Sequence, residues 1–256
     1  MRTKLGQNFL IDENIAERIA KSTDLSGQNV LEIGSGKGIL TKYLAQSAGR
    51  VLAVEIDRAL ASALAKKYKN IKIIAEDILR INLPELIEEN NFQRYKVAAN
   101  LPYYITSKII RLLLETKYPP TEMILMVQKE VAERIVALDG KESLLSISVK
   151  FYAEPKILFE VPRENFSPAP EVDSTVIRIM RRDKVPNVDI KKFFSLIRAG
   201  FSSKRKTLVN NLSASFHISK EKIAQILKKT RLGRAVRAEK LQIEDWLELL
   251  DGWPKN

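Results

Sequence analysis

Val30-Leu31-Glu32-Ile33-Gly34-Ser35-Gly36-Lys37-Gly38 is the stretch whose reading decides the fold. A short run of buried-strand type enters three glycines at alternate positions, and a helical pattern follows from Ile39 to Ala48. Glycines at such a turn let the backbone reverse sharply and approach a ligand without interference from Cβ atoms. The spacing is G-x-G-x-G. It is therefore neither the G-x-G-x-x-G of dinucleotide sites nor a Walker loop, which requires G-K-[ST]. Alone, such a turn is a weak signal.

The same alternation repeats downstream. Val51-Leu52-Ala53-Val54, Ile71-Lys72-Ile73-Ile74 and Lys96-Val97-Ala98-Ala99 read as strands, as does Met123-Ile124-Leu125-Met126-Val127. Helical patterns lie between and after them: Ala59 to Tyr68, Pro84 to Glu89, Ser107 to Glu115 and Glu130 to Leu138. Alternating strands and helices predict a parallel sheet with helices on both faces. Residues 144–152 fit strand and helix in part, and helix is the favoured reading. Ile157 to Val161 and Thr175 to Met180 read as closing strands, an antiparallel pair.

Polar residues recur at the strand ends. Glu55 follows Gly34 by 21 residues, Asp77 follows Glu55 by 22, and Asn100 follows Asp77 by 23. Ligands of doubly wound sheets bind beyond the carboxyl ends of the strands, near the point where strand order reverses. Gly34, Glu55, Asp77 and Asn100 are thus predicted to converge on one crevice. A carboxylate at the second strand end can accept both ribose hydroxyls, and Asp77 can accept from an adenine amino group.

Asn100-Leu101-Pro102-Tyr103 carries the sharpest chemistry. The lone pair of an adenine amino nitrogen is delocalised into the ring, which makes it a poor nucleophile. Two fixed acceptors, the Asn100 side-chain oxygen and the Leu101 or Pro102 carbonyl, can bind both amino hydrogens and localise that lone pair. Proline fixes the local backbone through its φ. Tyr103 offers a face on which a base can stack.

With these motifs in view the chain resembles the KsgA-type ribosomal RNA adenine dimethyltransferases. The resemblance covers nearly the whole length. It runs through Leu5 to Leu10, Glu32 to Gly38, Val54 to Asp57, Glu76-Asp77 and Asn100 to Tyr103, then Asn165 to Ser174, Ala199 to Leu208 and Arg237 to Leu241. It implies a Rossmann-like class I methyltransferase core with a small all-helical C-terminal domain. It implies S-adenosylmethionine as cofactor, held by Asn8, Leu10, Gly34, Gly36, Glu55, Asp77 and Asn100. Phe166 would face Tyr103 across the target base. The implied substrate is a pair of neighbouring adenines in a hairpin loop of small-subunit RNA, each taken to N6,N6-dimethyladenosine. Motif chemistry alone allows one methyl or two. Two rival readings stay open: a large-subunit RNA methyltransferase of the antibiotic-resistance type, and a non-catalytic assembly factor on the same fold.

Charge agrees with a polyanionic partner. The net charge is +12, and residues 184–256 hold 16 Lys and Arg against 7 Asp and Glu. We expect a methyltransferase domain over 1–183, its extreme N-terminus folding over the cofactor, and a basic helical RNA-binding domain over 184–256. Lys204-Arg205-Lys206 opens a helical stretch and is the candidate RNA contact, since three cations at a helix start oppose the dipole. Ser219 is a candidate N-cap. His217, the sole histidine, reads as structural or surface, and Trp246 and Trp253 as packing the last helices. The absence of cysteine excludes disulfides and thiolate metal sites, and no metal is expected. No apolar run is long enough for a membrane span and no signal segment follows the basic start. The expectation is a cytoplasmic monomer whose partner is ribosomal RNA in the small subunit, with no membrane contact.

Overall fold

A computed structural model describes residues 7–68 and 70–254. The basic start, Met1 to Lys4, and Leu5-Gly6 of the opening motif lie outside the described residues.

A short strand β1 (Phe9–Leu10) precedes helix α1 (Glu13–Ala20). The alternation then runs β2 (Asn29–Ile33), α2 (Ile39–Ser47), β3 (Arg50–Glu55), α3 (Arg58–Lys67), β4 (Ile71–Ala75), α4 (Leu83–Glu89), β5 (Lys96–Asn100), α5 (Thr106–Glu115), β6 (Glu122–Gln128) and α6 (Lys129–Val136). After it come α7 (Leu144–Tyr152), β7 (Ala153–Val161), β8 (Phe166–Ser167) and β9 (Ser174–Arg181). The chain continues through α8 (Ile190–Gly200), α9 (Leu208–Phe216), α10 (Lys220–Lys229) and α11 (Ile243–Asp251).

The main sheet has the order β4-β3-β2-β5-β6-β9-β7. β4, β3, β2, β5 and β6 pair in parallel, while β9 is antiparallel to both β6 and β7. Strand order reverses between β2 and β5, so the predicted crevice falls at their carboxyl ends. Parallel strands covered on both faces need apolar side chains on both. Val30, Leu31, Leu52, Val54, Val97, Ala98, Ile124 and Leu125 are accordingly buried. On α5, Ile109, Ile110, Leu113 and Leu114 form one buried face at helical spacing.

Local chemistry sets the boundaries. Asp12 caps α1 by accepting from the Asn14 and Ile15 amides, and Asp57 caps α3 through those of Ala59 and Leu60. Residues 144–152 are helical because Ser143 and Ser146 exchange hydrogen bonds, each hydroxyl accepting from the other's amide. Ile147 and Phe151, four apart, then bury one face.

The chain divides into two compact units. One comprises the described residues up to Ala132 with Ala153–Arg181; the other comprises Glu133–Tyr152 with the residues from Arg182 onward. The stretch 133–152 thus clusters with the C-terminal helices, which a single cut between 183 and 184 does not provide for. In this second unit Phe151, Phe193 and Phe194 pack ring to ring, and Trp246 is buried against Phe201. Trp253 meets Phe216 edge-on. Ser219 caps α10 by accepting from the Lys222 amide. His217 is exposed and ends α9 in a left-handed conformation.

Lys204, Arg205 and Lys206 are exposed, but they do not begin a helix. Thr207 is the N-cap of α9, so the cations occupy the turn ahead of it. The dipole acts most strongly within the first turn, so its opposition to these three cations is weaker than a helix start would give. The turn is nevertheless well held. Buried Asn211 donates to the Gly200 and Ser203 carbonyls, and the Leu208 amide donates to the Val236 carbonyl. No helix among the described residues is long and apolar enough to cross a membrane.

Candidate active site

A cavity of about 400 Å³ opens at the carboxyl ends of β2, β3, β4 and β5. That is within the range of small-molecule sites, roughly 300–1,000 Å³. Asn8, Leu10, Gly34, Gly36, Glu55, Asp77, Asn100, Leu101, Pro102 and Tyr103 all line it. Four strand ends and the N-terminal segment therefore bring those sequence-predicted residues to one place. Asn8 and Leu10 arrive because β1 pairs with β8, Leu10 opposite Phe166 and Phe9 opposite Ser167.

The glycine turn is a cradle. At Gly36 (φ +54°) a Cβ would press on the Phe9 ring, and at Gly38 (φ +82°) it would collide with Leu64. Both positions demand the left-handed region that favours glycine. Glu55, 1% exposed, closes the cradle from the next strand. Its Oε2 accepts from the Gly36 amide at 2.8 Å and its Oε1 from the Asp57 amide at 2.9 Å. Each oxygen keeps acceptor capacity for a ligand hydroxyl. Asp77 is fixed by the Leu79 amide, which donates to its Oδ1 at 3.0 Å.

The turn after β5 distinguishes the two candidate carbonyls. The Pro102 carbonyl is engaged, accepting from the Ile105 amide at 3.2 Å and the Thr106 hydroxyl at 3.1 Å. The Leu101 carbonyl accepts no hydrogen bond among the described residues, while the Leu101 amide donates to the Met126 carbonyl. Leu101, not Pro102, is thus the carbonyl available beside Asn100. Tyr103 shares a hydrogen bond of 2.7 Å with buried Ser174, and burial raises its phenol above the usual tyrosine range.

Phe166 stands apart. It is 4% exposed, does not line the cavity, and packs with Leu10, Ile19, Val161 and Val176 in the core. The Lys204–Lys206 turn belongs to the other compact unit.

Glu32, which begins the matched stretch Glu32 to Gly38 but was given no role, also belongs to the cavity. It lines the cavity, is 1% exposed, and its Oε2 has no hydrogen-bond partner among the described residues. Burial pushes its carboxyl up to about 8, with the nearby Glu55 charge adding to the effect. An acid inside an otherwise apolar strand was the available signal. Ser174, which bonds to Tyr103, lies in the matched stretch Asn165 to Ser174, but its partner 71 residues away is not readable from spacing.

This sheet order, with its ligand groups at the strand ends, is that of a Rossmann-like class I methyltransferase. The chain belongs to the ribosomal RNA adenine dimethylase family, whose model matches residues 1–253. A ribosomal RNA small subunit methyltransferase A from Dehalococcoides mccartyi is 42% identical over 258 residues, covering 97% of this chain and 87% of the relative. The protein of the same name from Lactococcus lactis is 41% identical over 262 residues, covering 98% and 89%. Among solved structures, a dimethyladenosine transferase from Plasmodium falciparum superposes with a TM-score of 0.80 at 26% identity, covering 94% of this chain and 95% of that one. The 23S rRNA methyltransferase ErmE gives 0.76 at 27%, covering 96% and 99%.

Proposed function

We propose that this protein transfers methyl groups from S-adenosylmethionine to N6 of two adjacent adenines in a hairpin loop near the 3′ end of 16S ribosomal RNA. The observation that carries the reading is the acceptor pair, Asn100 and the Leu101 carbonyl, at a cavity that Glu55 and the glycine cradle also line. The cradle suits a nucleoside: close backbone approach at Gly36 and a fixed carboxylate for ribose hydroxyls. When bound, S-adenosylmethionine supplies a methyl group on a sulfonium, a leaving group that departs as a neutral thioether.

The chain's own residues supply position and electrostatics. The Asn100 oxygen and the Leu101 carbonyl accept the two amino hydrogens and hold the nitrogen lone pair out of the ring. Tyr103, oriented by Ser174, presents its ring to the base. Its phenol stays protonated at neutral pH, so it serves as a face and not as a base. With S-adenosylmethionine held by the cradle, Asn100 and the Leu101 carbonyl would keep the nitrogen aimed at the methyl carbon, whose bond to sulfur would break as the new bond formed. The proton leaves afterwards, from a product that has become acidic.

A loop substrate fits, because the target base must leave its stack to enter the cavity. The basic turn Lys204-Arg205-Lys206 and its surrounding helices are assigned to the RNA backbone, in a cytoplasmic protein acting as a monomer on the small subunit. The relatives at 41–42% identity carry small-subunit names, whereas the large-subunit methyltransferase is 27% identical, which favours the small subunit. The intact Asn100 to Tyr103 motif favours an enzyme over a non-catalytic assembly factor.

The test is exhaustive reaction with undermethylated small subunits, followed by mass spectrometry of nucleosides and mapping of the modified adenines. Two N6,N6-dimethyladenosines in one small-subunit loop are expected. A stable endpoint at N6-monomethyladenosine, or modification of large-subunit RNA instead, refutes the proposal.

A further inference from the structure

We propose that Tyr104 is a stacking platform for the nucleotide next to the target adenine, and so helps select a substrate with a base beside the reacting one. The inference rests on the adenine reading above.

Tyr103–Ile105 forms one 3-10 turn, anchored by the Ile105 and Thr106 bonds to the Pro102 carbonyl. With three residues per turn, successive side chains diverge by about 120°. The two tyrosines therefore cannot serve the same space. Tyr103 turns inward to Ser174. Tyr104 lines the cavity yet is 68% exposed, which places it at the mouth. Among the described residues its ring meets no aromatic partner and its hydroxyl no hydrogen-bond partner.

An exposed tyrosine is unremarkable on an open surface. This one is three residues past the acceptor Leu101, on a turn held by the same segment. A base extruded into the cavity leaves its neighbour without a stacking partner. An aromatic ring at the mouth replaces that partner, and the replacement tolerates any base because every base has a π-face.

The experiment uses the full chain with undermethylated small subunits at saturating S-adenosylmethionine, comparing wild type, Tyr104→Ala and Tyr104→Phe. Loss of one base–aromatic stack should raise KM for subunits roughly five- to hundredfold in Tyr104→Ala. Turnover at saturating subunits should recover, and Tyr104→Phe should restore KM to within about twofold, since the ring and not the hydroxyl is used. Cofactor affinity is measured by calorimetry in both variants, so that each is assayed at a saturating concentration of its own. An unchanged KM in Tyr104→Ala overturns the proposal. So does an equal defect in Tyr104→Phe, or a fall in turnover without a rise in KM. If wild type itself methylates no adenine, the failure belongs to the function proposed above.

Discussion

The Glu55 carboxylate accepts a hydrogen bond from the Gly36 backbone amide at 2.8 Å, joining the end of β3 to the glycine turn after β2. The two halves of the cradle are therefore one unit. The carboxylate shapes the loop it faces before any ligand arrives, and the Asp57 amide on its other oxygen fixes the group's orientation.

Glu55→Ala should weaken S-adenosylmethionine binding while the protein stays folded. Hydrogen bonds to a charged acceptor contribute about 1.5–3 kcal/mol, a loss of roughly ten- to hundredfold in affinity. The loop also loses the partner of the Gly36 amide. Titration calorimetry measures the change, and unchanged affinity in a folded variant removes Glu55 from this role.

Asn100→Ala should slow transfer far more than it weakens RNA binding. The polarised amino geometry matters chiefly in the transition state. Removing one preorganised electrostatic interaction of this kind costs on the order of 10²-fold in rate. Single-turnover assays need saturating cofactor, because Asn100 also lines that cavity. A near-normal rate there would sink the acceptor role.

Replacing Lys204, Arg205 and Lys206 together by Ala should weaken RNA binding and flatten its salt dependence. Each phosphate left without its cation takes up to about one unit off the log–log slope. The cofactor cavity lies in the other compact unit, so cofactor affinity should hold. An unaltered slope would mean that these exposed cations are only a solvated surface.

Glu32→Gln should change how stability responds to pH. The carboxyl is held up at about 8 in the fold, against 4.5 for an ordinary glutamate. Below about 4.5 both folded and unfolded chains are protonated, and the favourable difference is fully present. Between about 4.5 and 8 the unfolded chain releases a proton that the folded chain keeps, so stability falls as pH rises. The slope for a single group is at most about 1.4 kcal/mol per pH unit. Melting curves of the ligand-free protein from about pH 5 to 8 should show a shallower decline in Glu32→Gln. Parallel declines would show that Glu32 ionises normally.

Residue types and spacing alone determined the βα alternation, the carboxyl-end location of Glu55, Asp77 and Asn100, and the helical C-terminal region. These features depend on local periodicity and on a topology rule that any parallel sheet obeys. The stretch 144–152, whose apolar spacing fits strand and helix in part, is helical in the fold, with Ser143 and Ser146 exchanging hydrogen bonds at its start. Other features required the folded backbone, some through residues a few positions on and some through partners far apart in the chain. The choice of the Leu101 carbonyl over that of Pro102 depends on which of them the following turn consumes. The position of Phe166, expected by resemblance to face the target base, depends on β8 pairing with β1 across more than 150 residues. The basic cluster sits before its helix because Thr207 takes the capping position. The elevated carboxyl of Glu32 and the opposite fates of Tyr103 and Tyr104 follow from burial. Burial is set by what the whole fold places around a side chain, which neighbours in sequence do not specify.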